Sequence, residues 1–175
     1  AMAIREMGLA RGEPPTLRGY PPSLYSTLSK IVERLGTTEK GSITGFFTVL
    51  VEGDDFNEPV ADTVRSLLDG HIVLDRGLAD QAHYPAISIP KSVSRIMNDI
   101  ISPKHKKAAE RFRSLYCTYL NNKELINIGA YKKGTNALID EAINKISIIN
   151  ELLCQDVKES YSYENSLGLL YKIVE

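Results

Sequence analysis

The sequence predicts an α/β region followed by an all-α region, with the change near residue 101. Apolar runs typical of buried strands occur only before that point, and long helical stripes fill the chain after it. Ser42–Val51 is nearly uncharged and rich in β-branched and aromatic residues, which favours a strand buried on both faces. Pro59 then opens a helical pattern, and His71–Leu74 is a second short apolar run. Strand, helix and strand in this order predict a βαβ unit with a parallel sheet.

The all-α region begins with a strong start signal. Ser102 and Pro103 are the residue types preferred at a helix N-cap and at the first helical position. Apolar residues then recur at helical spacing in three stripes, which we expect to be the core faces of a small helical bundle. Their members are Ala108, Phe112, Leu115, Tyr116 and Tyr119; Ile139, Ala142, Ile143, Ile146 and Leu153; and Leu167, Leu170, Ile173 and Val174. The predicted domains are therefore 1–101 and 102–175.

The N-terminal end of the chain predicts two helices joined by a stiff loop. Residues 2–10 have a helical pattern that Gly12 ends, and a second apolar helical face begins at Leu24. Between them, Gly12–Tyr25 contains four prolines and two glycines. Proline and glycine at this density exclude a helix or a central strand. The loop is predicted to present Thr16, Leu17 and Arg18 at its tip.

The composition excludes several classes of protein. The 175 residues are 43% hydrophobic and 25% charged, with a net charge of −1, which is ordinary for a globular protein and does not favour broad nucleic-acid binding. No apolar run approaches the ~20 residues of a membrane span, and no signal peptide is visible. Cys117 and Cys154 lack metal-site spacing, so we expect two buried, inert thiols and no metal site. His71 is expected in the core and His105 on a solvated helix face.

Four segments of the chain carry a family resemblance in the same order. They are AMAIREMGLARGEPPTLRGYPPSLY; GSITGFFTVLVEGDDFNEPVADTVRSLLDGHIVLDR; HYPAISIPKSVSRIM; and KELINIGAYKKG followed by DEAINKISIINELLCQ. Together they resemble the hexameric ATPase that powers flagellar and type III protein export, a relative of the rotary ATP synthase catalytic subunit. The resemblance implies that 1–101 is the C-terminal part of a RecA-like parallel-sheet ATPase domain and that 102–175 is the C-terminal helical domain.

The resemblance implies an ATP hydrolase coupled to protein translocation, with ATP and Mg²⁺ as its cofactors in the full-length enzyme. Phosphoryl transfer of this kind needs a glycine-rich loop with a lysine and a Mg²⁺-binding aspartate. The 175 residues contain no GxxxxGK[ST] pattern. We therefore expect this chain alone to be inactive and to bind no cofactor.

Arg95, in Ser92–Met97, resembles the arginine finger that reaches the γ-phosphate in the neighbouring subunit's site, and it is the candidate catalytic residue. A planar, permanently charged guanidinium is suited to charge spread over phosphate oxygens. The alternative is a surface arginine that pairs with an acid such as Asp99.

Tyr84, in His83–Ala86, resembles the aromatic residue that stacks on adenine in the subunit's own site. Stacking suits a base that is bound through its π-face. The alternative is a core tyrosine before a rigid proline. Tyr161 or Tyr163 is a candidate to close the far side of such a pocket.

Two loops resemble pore-facing loops of the family. The proline loop would offer Leu17 and Arg18 to a central stalk. The Glu52–Pro59 loop would offer Asp54, Asp55 and Glu58 as an acidic collar for a basic stalk helix, through salt-sensitive contacts. The alternative for the second loop is an ordinary strand-to-helix turn.

The family's assembly implies the partners. These are further copies of the same chain in a homohexamer, a central stalk protein, a negative regulator and chaperone–substrate complexes. The implied location is the cytoplasm, peripheral to the export gate of the inner membrane. No nucleic-acid partner is expected. One alternative is a non-hydrolysing ring subunit or regulator that contributes only Arg95 and packing. Another is a ring translocase that acts on RNA. That alternative predicts basic pore loops, and the acidic Asp54 and Asp55 argue against it.

Overall fold

The structure is a computed structural model that describes residues 1–51, 53, 55 and 57–175. The chain forms two compact units, Ala1–Asp69 and Gly70–Glu175.

The described part of the first unit contains three α-helices, together with a short hairpin. The helices are α1 (Met2–Ala10), α2 (Pro22–Val32) and α3 (Pro59–Leu67). Proline occupies the first turn of α2 and of α3, where its missing N–H costs no helical hydrogen bond. The helices pack around a small apolar core of Tyr20, Leu24, Val60 and Val64. The two predicted helices on either side of the proline loop are confirmed.

The predicted strand at Ser42–Val51 is wrong for most of its length. Only Gly41–Ile43 (β2) is a strand, and it forms an antiparallel hairpin with Gly36–Thr38 (β1). Beyond it, Phe46 is 91% exposed and Leu50 is 92% exposed. A strand buried on both faces needs strands paired at its edges and layers packed on its faces. In the described part of the chain, β2 pairs only with the three-residue β1.

The second unit begins with a short antiparallel pair in place of the predicted parallel sheet. Gly70–His71 (β3) pairs with Val93–Ser94 (β4), so the predicted strand at His71–Leu74 is shorter than expected. Val73 is buried, whereas Ile72 and Leu74 are exposed. The short helices α4 (Arg76–Asp80) and α5 (Met97–Ile100) lie on either side of β4 in the chain.

The predicted helical bundle is confirmed. It consists of α6 (Pro103–Asn127), α7 (Ala137–Leu153) and α8 (Tyr163–Val174). The Ser102 hydroxyl accepts a hydrogen bond from the His105 N–H at 3.2 Å, as expected of an N-cap. The buried core contains residues from all three helices: Phe112, Leu115, Tyr116, Ala142, Ile149 and Ile173.

Candidate functional site

The tip of the proline loop is a closed turn. The Thr16 N–H and hydroxyl both donate to the Tyr20 carbonyl, at 2.7 and 2.6 Å. Between them, Leu17–Gly19 forms one turn of 3₁₀-helix in which Arg18 has a left-handed φ of 56°. The Leu17 side chain is 74% exposed. The turn therefore presents an apolar side chain and a cation to solvent, as the sequence predicts.

Arg18 makes an ion pair with Asp55, the described aspartate of the second candidate pore loop. The other carboxylate oxygen of Asp55 accepts a hydrogen bond from the Asn57 N–H at 3.0 Å, which orients the side chain. The predicted contact residue Asp54 lies outside the described residues. The two loops are thus joined through one acid–base pair.

Glu58 follows Asp55 in the same loop, where its N–H donates to the Asp55 carbonyl at 3.0 Å, and it is only 6% exposed. Its Oε2 caps α3 by accepting hydrogen bonds from the Val60 and Ala61 N–H groups, at 2.9 and 3.0 Å. Its Oε1 is buried and has no hydrogen-bond partner among the residues that the structure describes. Burial raises the pKa of the nearby Tyr20 hydroxyl, and the negative charge of Glu58 raises it further. The Glu58 carboxylate is thus buried and caps α3, whereas the Asp55 side chain is partly exposed.

Tyr84 lies in the second unit on a loop that several backbone hydrogen bonds hold in place. The Asp75 N–H donates to the Ala86 carbonyl at 2.9 Å, and the His83 N–H donates to the Leu78 carbonyl at 3.0 Å. The Tyr84 side chain is nevertheless 56% exposed. A core tyrosine would be buried, so the exposure argues against the alternative of a core residue; contact of the ring with a ligand stays a prediction.

Asp75 stabilises the same loop, and the sequence analysis missed it. Its Oδ1 caps α4 by accepting from the Gly77 N–H at 2.9 Å, and its Oδ2 pairs with the Lys91 ammonium at 2.7 Å. The hydrogen bond from Lys91 is the main cause that lowers the pKa of the Asp75 carboxyl; burial opposes it. An aspartate directly before a helical segment is an N-cap signal that was available from the sequence.

Arg95 follows β4 directly and is exposed. The segment that leads to it is fixed from α6, because the Arg113 guanidinium donates to the Pro90 carbonyl at 2.7 Å and to the Ser92 carbonyl at 3.4 Å. The Ser92 hydroxyl in turn accepts from the Val73 N–H at 3.0 Å. The Arg95 side chain is therefore exposed, while hydrogen bonds to Pro90 and Ser92 fix the segment that precedes it.

Two histidines differ from expectation. His71 is not in the core; it is half-buried, and its Nε2 lies 3.1 Å from the Lys91 carbonyl. His105 is not on a purely solvated face, because the Tyr163 ring packs edge-on against it with a centroid distance of 6.4 Å. Tyr161 and Tyr163, the candidates for the far side of a nucleotide pocket, are 51% and 63% exposed.

The cysteines are half-buried rather than fully buried. The Cys154 Sγ lies 3.4 Å from the Nδ1 atom of His83, the residue that precedes Tyr84 in the sequence. Nothing in the spacing of residues 83 and 154 could have predicted this contact. Among the residues that the structure describes, no helix is long and apolar enough to cross a membrane.

Two family models match the chain. Residues 1–94 match the nucleotide-binding domain of the ATP synthase alpha/beta family, and residues 101–172 match the C-terminal domain of the type III secretion ATPase EscN. The first of these covers more than half of the chain.

Named relatives agree with these matches. The chain is 52% identical to the flagellum-specific ATP synthase of Bacillus subtilis (strain 168) over 97% of its own length and 39% of that protein. It is similar to the assembled ATPase EscN of the enteropathogenic E. coli type III secretion system, with a TM-score of 0.97, 45% identity, and coverage of 99% of this chain and 42% of EscN. EscN in complex with its central stalk EscO gives a TM-score of 0.90 at 43% identity, over 100% of this chain and 42% of that one.

The chain thus spans well under half the length of the relatives it matches. Both regions of the chain nevertheless match the same group of proteins. The chain belongs to the ATP synthase alpha/beta family and, within it, to the flagellar and type III secretion ATPases.

Proposed function

We propose that the full-length protein is an ATPase that energises flagellar or type III protein export, and that it couples ATP hydrolysis in a hexameric ring to the delivery of protein substrates. The observation that carries this proposal is the continuous similarity to export ATPases over almost the whole chain, at 52% identity to the flagellar relative. The alternative of a non-hydrolysing subunit is not favoured, because the similar proteins are named ATP synthase or ATPase.

In this proposal Arg95 acts in trans on the γ-phosphate bound by the neighbouring subunit. Its exposure, and the support of its backbone by Arg113, suit a cation that has to reach across a subunit interface. A guanidinium stabilises charge that spreads over phosphate oxygens in the transition state. Such residues are worth about 10³–10⁵ in rate.

Tyr84 stacks on the adenine of ATP bound by its own subunit. The half-exposed ring on a hydrogen-bonded loop fits a base that is recognised by its face. ATP is bound with Mg²⁺, and the groups that hold the phosphates and the metal belong to the part of the full-length protein outside these 175 residues. Within this chain, Tyr84 binds the base and Arg95 supplies a cation.

We assign 1–101 to the C-terminal part of a RecA-like ATPase domain and 102–175 to the C-terminal helical domain. The ranges of the two family models support this division. The exposed apolar side chains of Phe46 and Leu50 support it as well, since a sheet completed by the rest of the ATPase domain would cover them. We further propose that the chain without its phosphate-binding half does not hydrolyse ATP.

The proposed partners are further copies of the same chain and a central stalk protein. The similar protein EscN is described as assembled and as bound to its central stalk EscO. Leu17, Arg18, Asp54 and Asp55 are the proposed stalk contacts, and Glu58 acts by holding its loop. A negative regulator and chaperone–substrate complexes are further proposed partners, and the proposed location is the cytoplasmic face of the inner-membrane export apparatus.

The test compares three purified samples: the full-length protein, its Arg95→Ala variant, and the 175-residue chain. We expect Mg²⁺-dependent ATP hydrolysis only from the unmodified full-length protein. We also expect a deletion strain to lose flagellar or type III secretion and to recover it only with the unmodified gene. Hydrolysis by the isolated chain, or secretion that is unchanged in the deletion strain, would overturn the proposal.

A further inference from the structure

The loop that carries Tyr84 is joined to the C-terminal end of α7 at two points. The Gln155 N–H donates a hydrogen bond to the Tyr84 carbonyl at 2.9 Å. The residues that precede these two are also in contact: the Cys154 Sγ lies 3.4 Å from the His83 Nδ1. A backbone contact and a side-chain contact in adjacent positions define both the place and the orientation of the loop. We call this pair of contacts the α7 junction.

The end of α7 is shaped to make the junction. The Cys154 N–H completes the helix by donating to the Asn150 carbonyl at 2.9 Å. Cys154 itself is extended, with φ −99° and ψ 138°, so the chain leaves the helix there. The next N–H, that of Gln155, therefore points away from the helix and is available to Tyr84.

His83 depends on the junction for a partner. Its Nε2 is buried and has no hydrogen-bond partner among the residues that the structure describes. His83 is half-buried, and because its buried Nε2 has no partner in the described part of the chain, the polar contact that holds the ring is the one between Nδ1 and the Cys154 Sγ. Loss of the sulfur would leave the imidazole, directly before Tyr84, without either polar contact.

The other side of the loop is also fixed, through the bonds from Asp75 to Ala86 and from His83 to Leu78. The backbone of Tyr84 is thus held from both sides while 56% of its side chain is exposed. The backbone fixes the direction of the Cα–Cβ bond, and with it the small set of rotamers that the exposed ring can adopt. Preorganisation of this kind lowers the cost of ordering a binding group when the ligand arrives.

We propose that His83 and Cys154 are positioning residues that orient Tyr84 for the adenine base. The inference rests on the proposed function, in which Tyr84 stacks on the base. It predicts an effect on nucleotide affinity that depends on the base, because the junction contacts the loop that carries Tyr84. The phosphate chemistry itself should not change.

The test uses the full-length protein and Cys154→Ala, which removes the sulfur. We expect the KM for ATP to rise by about three- to tenfold, the effect typical of losing one hydrogen bond, with little change in kcat. The inhibition constant of ADP should rise by a similar factor. The inhibition constant of inorganic pyrophosphate should stay the same, because pyrophosphate has no base. A general loss of structure would weaken both inhibitors.

Three further variants keep the inference falsifiable. Cys154→Ser retains a hydroxyl that can bond to His83 and should keep the KM close to that of the unmodified protein. Gln155→Pro removes the backbone donor, and the extended Cys154 is compatible with a following proline; this variant should raise the KM in the same way. Cys117→Ala, at the other half-buried cysteine, is the matched control and should change nothing.

Tyr84→Ala separates the two proposals. If it leaves the KM for ATP unchanged, the stacking role in the proposed function is wrong. If it raises the KM while Cys154→Ala and Gln155→Pro do not, the positioning role alone is overturned. Equal weakening of ADP and pyrophosphate by Cys154→Ala would also overturn it.

Discussion

Arg18 and Asp55 form an ion pair that joins two loops 37 positions apart in the sequence. Both side chains remain partly exposed, at 47% and 37%. The charges of Arg18 and Asp55 therefore already have partners of opposite sign within the chain. A stalk side chain has to compete with this partner or bind the pair as a unit. The pair is the feature of the two candidate pore loops that is easiest to test.

We expect Arg18→Asp or Asp55→Arg alone to weaken binding of the central stalk protein to the full-length ring, because either change places like charges opposite each other. The double variant restores the pair in reverse and should recover part of the affinity. Exposed pairs couple by about 0.2–1 kcal/mol, so the recovery should be up to about fivefold per site. The measurement is the Kd for the stalk in a double-mutant cycle.

The Asp62–Arg65 pair on α3 is a matched control, since it is also partly exposed and joins oppositely charged side chains at 3.0 Å. Reversal of its charges should leave stalk binding unchanged. If the effects of the two single changes at Arg18 and Asp55 simply add in the double variant, the pair does not couple the loops, and each residue contacts the stalk independently.

Glu58 allows a stability test of the same loops. Glu58→Ala removes the cap of α3 and should lower the free energy of unfolding by about 1–2 kcal/mol. Glu58→Gln keeps an oxygen that accepts from Val60 and Ala61, so it should cost much less. Denaturant unfolding of the full-length protein measures both. Equal destabilisation by the two variants would mean that the charge of Glu58, and not its capping oxygen, stabilises the fold.

The sequence predicted the helical bundle well because its signals are local. Periodic apolar residues and the Ser102–Pro103 start signal act within a few turns of one helix, and the structure places the helix start there. The segment Ser42–Val51 failed for the opposite reason. Its composition indicates a buried strand, but a strand also needs neighbours far away in the sequence, and Phe46 and Leu50 are exposed without them.

In the candidate site, too, the sequence indicated individual residues but not the contacts between residues that are distant in the chain. Tyr84 and Arg95 came from the family resemblance, and the structure adds their exposure and their supports. The Arg18–Asp55 pair and the Cys154–His83 contact join residues too distant in the sequence for any spacing rule to connect them. Glu58 was predicted as one of three similar acids, and only the fold shows that its side chain turns inward to cap α3.

Asp75 gives a prediction about pH. Its pKa is lowered in the folded state, chiefly by the hydrogen bond from Lys91, so its contribution to stability is present above the unfolded value of about 3.8 and is lost as the pH falls through the folded value. Asp75→Asn should therefore destabilise the protein by up to about 1 kcal/mol at pH 7, since Lys91 is half-exposed.

The measurement for Asp75 is the difference in melting temperature between Asp75→Asn and the unmodified protein as a function of pH. This difference should shrink as the pH is lowered from about 5 to below the unfolded pKa. Lys91→Met should give a similar difference at pH 7. A difference for Asp75→Asn that stays constant down to pH 3 would show that the α4 cap, rather than the charge, is what matters.

Arg95 gives the most direct test of the catalytic proposal. Arg95→Ala should lower kcat by about 10³–10⁵ while nucleotide binding is retained, because in the proposed mechanism the guanidinium acts on transition-state charge. Arg95→Lys should restore little, since an ammonium lacks the planar fork. The exposed Arg76 on α4 is a matched control whose replacement by alanine should leave kcat unchanged.

Mixed rings show whether Arg95 acts between subunits. In the proposed mechanism, Arg95→Ala subunits keep the phosphate-binding loop that we assign to the rest of the full-length protein, and subunits in which the lysine of that loop is replaced keep Arg95. Each kind alone should be inactive. Mixed together, they form interfaces in which the working loop of one subunit meets the arginine of the other, so part of the ATPase activity should return. If every mixture is as inactive as its components, Arg95 does not complete the site of a neighbour.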